Sequence, residues 1–290
     1  MKTIDLHAHS NASDGTLTPS EVIRHAMEQK LSAIALTDHD TLNGVAEACK
    51  EADLLKSQGY SIEGIPGIEL SANYENHDIH IVGLYVKHTH KGLNQFLDET
   101  QSRRIKRNEQ MIQNFQNAGI PMTMEDLMFG NKSTIITRAH FAKYLLNHGY
   151  VETKQEAFNK YLDSTTPFYV PKVLVSPKEA IFHIHQAGGV AILAHPMLYK
   201  MKHSEIETMI VSLKEIGLDG IECLYSTNST EDNHFLNQMA SRYDLLMSGG
   251  SDFHGANKPD IELGIGHGNL VIPYELLDQI KQRRDLVRSK

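Results

Sequence analysis

Along most of the chain, short continuous apolar runs alternate with longer segments whose apolar positions recur every three or four residues. Ala33-Ile34-Ala35-Leu36 and Val190-Ala191-Ile192-Leu193-Ala194 have the length and composition of fully buried strands. Ile4 to Ala8, Ile65 to Leu70, Asp78 to Val86, residues 219–224 and Leu245-Leu246-Met247-Ser248 complete a set of about seven. Between them lie helical patterns with clear start signals. Thr18-Pro19-Ser20-Glu21 and Ser176-Pro177-Lys178-Glu179 each place a hydroxyl N-cap, a proline at the first helical position and a glutamate three residues past the cap. Further helices are expected from about Gly44 to Gly59, over 204–216, over 230–243 and at the C-terminus. Strand–helix alternation of this kind predicts an α/β sheet or barrel.

The rhythm stops between 91 and 164. A long helical run and short helices around Met124 to Phe129, Thr137 to Asn147 and Lys154 to Leu162 read as a helical insertion. The barrel is then built from 1–90 and 165–290, and the insertion is expected to cover its active site. Arg103-Arg104-Ile105-Lys106-Arg107 reads as a solvated helix face, or as a face on which Arg104 and Arg107, three apart, turn together toward a substrate. Arg138 and Lys172 are the better candidates for phosphate contacts because each sits at an edge of the insertion, and the guanidinium fork of an arginine can hold two phosphate oxygens at once.

Composition adds limits. With 290 residues and 40% hydrophobic content the chain can bury a large core. A formal charge of −8 argues against a broad basic surface for nucleic acid. Two or three bound dications would bring it to between about −4 and −2, so metal content changes that argument. Cys49 and Cys223 form no spaced pair and read as free thiols in a reducing compartment. No signal peptide or apolar run of membrane-spanning length is evident, and a cytoplasmic protein is expected, with no membrane and no obligate protein partner.

The candidate chemistry sits at strand ends. His7 and His9, two apart in an extended segment, are expected to project to one side while Leu6 and Ala8 take the other. Asp14, Asp38-His39-Asp40, Glu69, His195-Pro196 and Asp252-Phe253-His254 supply further donors, and Gly249-Gly250 lends the last group backbone freedom. His80 interrupts an apolar strand, either as a core histidine bonded to backbone or as a ligand beside a carboxylate. Parallel strands closed into a barrel gather such ends on one rim, whereas an open sheet spreads them along a line. Six imidazoles and three carboxylates with no thiolate suit Mn²⁺, Fe²⁺ or Zn²⁺.

His7-x-His9, Asp14, Thr37-Asp38-His39-Asp40, Gly67-Ile68-Glu69, His80, Ala194-His195-Pro196 and Gly250-Ser251-Asp252-Phe253-His254 together resemble the PHP (polymerase and histidinol phosphatase) family. Within it they are similar to the stand-alone phosphoesterases acting on nucleoside 3',5'-bisphosphates and short oligoribonucleotides. The resemblance implies a distorted (β/α)7 barrel with a small helical domain inserted. It implies one ion on His7, His9, Glu69 and Asp252, a second bridged by Glu69 to His80 and His195, and a third on Asp14, His39 and His254. Some family members carry histidine where this chain has Asp14, a harder ligand.

Two ions a few ångströms apart, roughly 3.5–4 Å, acidify a bridging water and clamp the oxygens of a phosphoryl group. The expected activity is removal of phosphate from a small phosphorylated nucleotide, or from short RNA, by such a hydroxide. Two or three divalent ions are the cofactors, manganese foremost. Asp38 and Asp40 are expected to orient ligand histidines or to pass a proton to the leaving group, or else to cap the turn after the strand. Histidinol-phosphate hydrolysis and a non-catalytic metal module docked to a partner are the alternatives.

Overall fold

The computed structural model describes residues 2–130, 134–171 and 175–288. Its strands are β1 (Ile4–Ala8), β2 (Ala33–Leu36), β3 (Glu63–Tyr74), β4 (His77–Leu84), β5 (Val190–Leu193), β6 (Gly220–Tyr225) and β7 (Leu246–Gly250). Its helices are α1 (Pro19–Glu28), α2 (Val45–Ser57), α3 (Lys91–Asn117), α4 (Met124–Met128), α5 (Arg138–Asn147), α6 (Lys154–Ala157), α7 (Pro177–Gln186), α8 (His203–Glu215), α9 (Thr230–Arg242) and α10 (Glu275–Arg288). Both capping boxes read from the sequence are formed, at Thr18 and at Ser176. None of the described helices is long and apolar enough to cross a membrane.

The chain divides into two compact units, one of residues 1–96 and 174–290, the other of 97–173. In the first, the seven strands form one sheet in chain order. Beyond the last strand the sheet turns back on the first: Asp252 N–H donates to His7 O and His9 N–H to Phe253 O, both at 2.9 Å. The result is a nearly closed, distorted barrel. Its interior is filled by Ile4, Leu6, Ala33, Ala35, Ile65, Val190 and Ile192, and by Leu277 and Ile280 of α10. A separate layer, Ile34, Leu36, Ala8, Val22, Ile23 and Ala48, packs β1 and β2 against α1 and α2.

Three features depart from the sequence expectation. Leu6 lies in the interior cluster and Ala8 in the outer one, so they do not share a face. The pairing of β1 with β2 slips between Asp5 and Ala8, where three steps of β1 span two of β2. Such a bulge shifts the alternation by one residue. It lets β1 carry apolar side chains inward up to Leu6 and then point Ala8 outward.

Second, Glu69 is inside a strand and not at its end: β3 is twelve residues long. β2 stops at Leu36, opposite Pro66, and the outer half of β3 pairs instead with β4. Third, β4 runs antiparallel to both neighbours. The two-residue turn Glu75-Asn76 has positive φ at both positions (46° and 69°), the geometry that lets a tight hairpin follow the strand twist. No helix intervenes, and this hairpin is what distorts the barrel. It carries Ser71 opposite His80 and sets Glu69 level with His39.

The second unit has its own core, in which Phe115, Phe141, Leu145 and Leu162 are buried and Phe115 stacks on Phe168 with ring centres 4.6 Å apart. α4 and α5 begin in capping boxes at Thr123 and Thr137. Arg107 is buried here. Its Nε donates to Val170 O at 3.0 Å, one guanidinium nitrogen to Asn108 Oδ1 at 3.0 Å, and its plane lies near the Tyr169 ring.

Candidate metal centre

All nine expected ligands meet at one rim of the barrel unit. Glu69 is the hub. Its Oε1 lies 2.8 Å from His80 Nδ1, 3.0 Å from His195 Nε2 and 3.4 Å from His7 Nε2, and its Oε2 lies 2.9 Å from His39 Nδ1 and 3.3 Å from His9 Nε2. Asp252 Oδ1 is 3.3 Å from His9 Nε2 and 3.8 Å from His7 Nε2. Asp14 faces His254 at 3.2 Å, His39 at 3.8 Å and His9 at 3.9 Å. Seven of the nine fall into three overlapping groups of donor atoms: His9, Asp14, His39 and His254; His7, His9 and Glu69; His39, Glu69 and His80, with His195 and Asp252 beside them. His9 and His39 are thus shared, where the resemblance assigned each to one ion.

Whether this set suits divalent ions can be judged from its unsatisfied atoms. His7 Nε2, both ring nitrogens of His9, His39 Nδ1, Glu69 Oε2 and His195 Nδ1 are buried without a hydrogen-bond partner. His39 Nδ1 and Glu69 Oε2 are close enough for one but misaligned. A buried polar atom without a partner costs on the order of 1–3 kcal/mol. So many in one place is a cost that cations would offset, and the donor types fit such ions.

Neighbouring groups select which nitrogen faces the cluster. His7 Nδ1 is 3.0 Å from Glu222 Oε1, so a proton held there leaves Nε2 turned to Glu69 and Asp252. Glu222 Oε2 also accepts His195 N–H at 2.7 Å, which supports His195 at its positive φ of 27°. His254 Nδ1 contacts the Asp252 carbonyl at 2.8 Å and so presents Nε2 to Asp14. Such outer partners fix both ring orientation and ligand basicity. Glu222 was missed in the sequence; its signal was a lone acid within the apolar run Gly220 to Tyr225.

Asp38 and Asp40 both accept hydrogen bonds from serines. Asp38 Oδ1 accepts from Ser10 N–H (2.8 Å) and Ser13 Oγ (2.7 Å), and Oδ2 from Ser10 Oγ (2.7 Å). Asp40 accepts from the backbone and hydroxyl of Ser71 at 2.8 and 2.9 Å. These bonds fix the loop that carries Asp14 and the strand that carries Glu69. Both carboxylates are buried.

Of the expected phosphate contacts, Arg107 is buried, with Nε bonded to Val170 O and one guanidinium nitrogen to Asn108 Oδ1. Arg104 is half-buried on α3. Arg138, also half-buried, is the first residue of α5. Lys172 lies outside the described residues.

The charges oppose one another. Burial alone would raise the carboxyls of Glu69, Asp14 and Asp252, but the surrounding histidines, and Lys258 beside Asp252, hold all three well below their usual range. Burial brings His80 down to about 4 and lowers His254 as well, so both offer neutral imidazoles at pH 7. For His9 burial also works against protonation, but Asp252 and Glu69 outweigh it and carry the ring up to about 9. An ion binding there must displace a proton. Against burial, Glu222 and Glu69 hold His7 well above its usual range too, so apparent Mn²⁺ affinity should rise with pH by at least tenfold per unit between about pH 7 and 9, where His9 loses its proton. Calorimetric titrations at several pH values measure this, and a flat profile would exclude proton competition at His9.

With this geometry in place, likeness to known proteins can be stated. The model of the PHP domain family matches residues 5–170. The chain is 35% identical to the 5'-3' exoribonuclease Rnm of Escherichia coli, over 90% of this chain and 87% of that protein. It is 36% identical to a 3',5'-nucleoside bisphosphate phosphatase of Chromobacterium violaceum, over 91% of each. A crystal structure assigned to a metal-dependent phosphoesterase of Bifidobacterium adolescentis superposes with a TM-score of 0.84 at 27% identity, over 97% of this chain and 96% of that one. Fold and site define a metal-dependent phosphoesterase. The chain belongs to the PHP family.

Proposed function

We propose that this enzyme removes phosphate from small phosphorylated nucleotides, nucleoside 3',5'-bisphosphates first among them, and acts on short oligoribonucleotides by the same chemistry. The observation that carries this reading is the meeting of buried, unpartnered imidazole nitrogens around Glu69, in a chain similar along nearly its whole length to a bisphosphate phosphatase and an exoribonuclease.

His7, His9, Glu69 and Asp252 would hold one ion, with Glu69, His80, His195 and His39 around a second and Asp14, His39, His254 and His9 around a third. The mixed imidazole and carboxylate donors favour manganese or zinc over magnesium. When bound, such ions neutralise charge on phosphoryl oxygens and acidify water to near neutrality. The protein does the rest. Glu222 and the Asp252 carbonyl aim His7 and His254, Asp38 clamps the loop bearing Asp14, and Asp40 fixes β3 through Ser71. The positive φ at His195 and Asp252 holds two ligands in turns tight enough to face the cluster. The free thiols Cys49 and Cys223 suit a reducing, cytoplasmic setting.

The test is a screen of metal-reconstituted protein against monoesters, 3',5'-bisphosphates and short RNA, with His195→Ala and chelated protein as controls. Rapid metal-dependent phosphate release from a bisphosphate is expected, with release lost in both controls. Equal release by His195→Ala would mean a contaminant. Arg138→Ala addresses the second phosphate. It should raise KM for a bisphosphate about tenfold, in line with the loss of a charge-assisted contact, and leave a monophosphate unaffected. Unchanged KM would point to a substrate with one phosphate.

A further inference from the structure

Lys258 follows the short 3-10 turn Gly255–Asn257, outside every motif of the sequence reading. Its Nζ lies 2.6 Å from Asp252 Oδ2, and the Tyr225 hydroxyl donates to that same oxygen at 2.7 Å. The other oxygen, Oδ1, is the one turned to the imidazoles, 3.3 Å from His9 Nε2, 3.4 Å from His254 Nδ1 and 3.8 Å from His7 Nε2. The carboxylate is thus divided between a cationic side and a ligand side. Its main chain is anchored as well, by the bond from Asp252 N–H to His7 O.

We propose that Lys258 is a resident cation that weakens and so tunes divalent-ion binding at the Asp252 corner of the cluster. This rests on the reading of Asp252 as a ligand through Oδ1. An ammonium on Oδ2 draws electron density from the carboxylate and repels a dication one carboxylate away. It also anchors the side chain, which acts in the opposite direction. The repulsion dominates because the anchor is duplicated: with Lys258 removed, Tyr225 still holds Oδ2. The lysine side chain is 37% exposed against 5% for Asp252, so water screens part of the repulsion. What survives corresponds to a factor on the order of ten in affinity.

A purely structural lysine and a tuning lysine predict opposite signs. Metal-stripped wild type, Lys258→Met, Lys258→Gln, Lys258→Arg and Tyr225→Phe would be titrated with Mn²⁺ by calorimetry, with ions per chain counted by elemental analysis. Lys258→Met and Lys258→Gln should each bind Mn²⁺ about tenfold more tightly at unchanged stoichiometry. Lys258→Arg, which keeps the charge, should stay within about threefold of wild type, and Tyr225→Phe should bind no more tightly than wild type. Equal or weaker binding by both neutral variants overturns the proposal, as does equal tightening by Tyr225→Phe. Wild type that retains no Mn²⁺ would instead overturn the ligand assignment itself, a failure distinct from the others.

Discussion

Glu69→Gln should lower metal-dependent phosphate release by on the order of a thousandfold while leaving the fold in place. The substitution keeps size and shape and removes one charge. That charge faces five histidines, His7, His9, His39, His80 and His195, all within 3.4 Å of a Glu69 oxygen. Two of the three donor groups contain it. An amide puts an N–H donor where an oxygen lone pair was, toward nitrogens that are themselves needed as donors to cations. Outer partners of a ligand typically change metal affinity by about 10- to 100-fold, and a shared ligand should exceed that. Elemental analysis should show fewer ions per chain, and circular dichroism an unchanged helix content. Wild-type turnover and ion content in Glu69→Gln would remove the hub from the account.

Gly250→Ala is the second large effect, on stability. A Cβ on Gly250 would fall 2.1 Å from His7 Cβ, 2.8 Å from His7 N and 2.9 Å from Glu222 Oε1. The nearest obstacles belong to the backbone and Cβ of β1, so no flexible side chain can swing aside. Relief requires β1 and β7 to part, at the closure that also positions His7 and Asp252. The cost should be about 3 kcal/mol or more. For a domain of this size that lowers the melting temperature by roughly 6–12 °C. Differential scanning calorimetry of the barrel transition measures it, and a wild-type melting temperature with full metal content would show that the closure yields easily.

The local chemistry was readable from particular residues. Thr18, Glu21, Ser176 and Glu179 announced helix starts because capping is a contact between residues three apart. The nine candidate ligands were recognisable because their residue types are costly to bury without a partner, and all but Asp14 lie within or just past an apolar run. Asp38 and Asp40 were legible as part of the motif, but the partners they take were not. Which donor reaches a carboxylate depends on loops that meet only in the folded chain, here those of Ser10, Ser13 and Ser71. Arg107 looked like a solvated cation for the same reason, since the carbonyl it satisfies is at Val170.

The sequence by itself determined the alternation of strands and helices, the helix starts, and the family to which the chain belongs. All of these depend on short-range patterns or on residue type. Tertiary structure alone decided the bulge that turns Ala8 outward, the reversal of β4, the placing of Glu222 behind His7, and the approach of Lys258 to Asp252. Each depends on pairings between segments distant along the chain. Their energies are set by register, burial and distance, and none of these exists until the barrel closes.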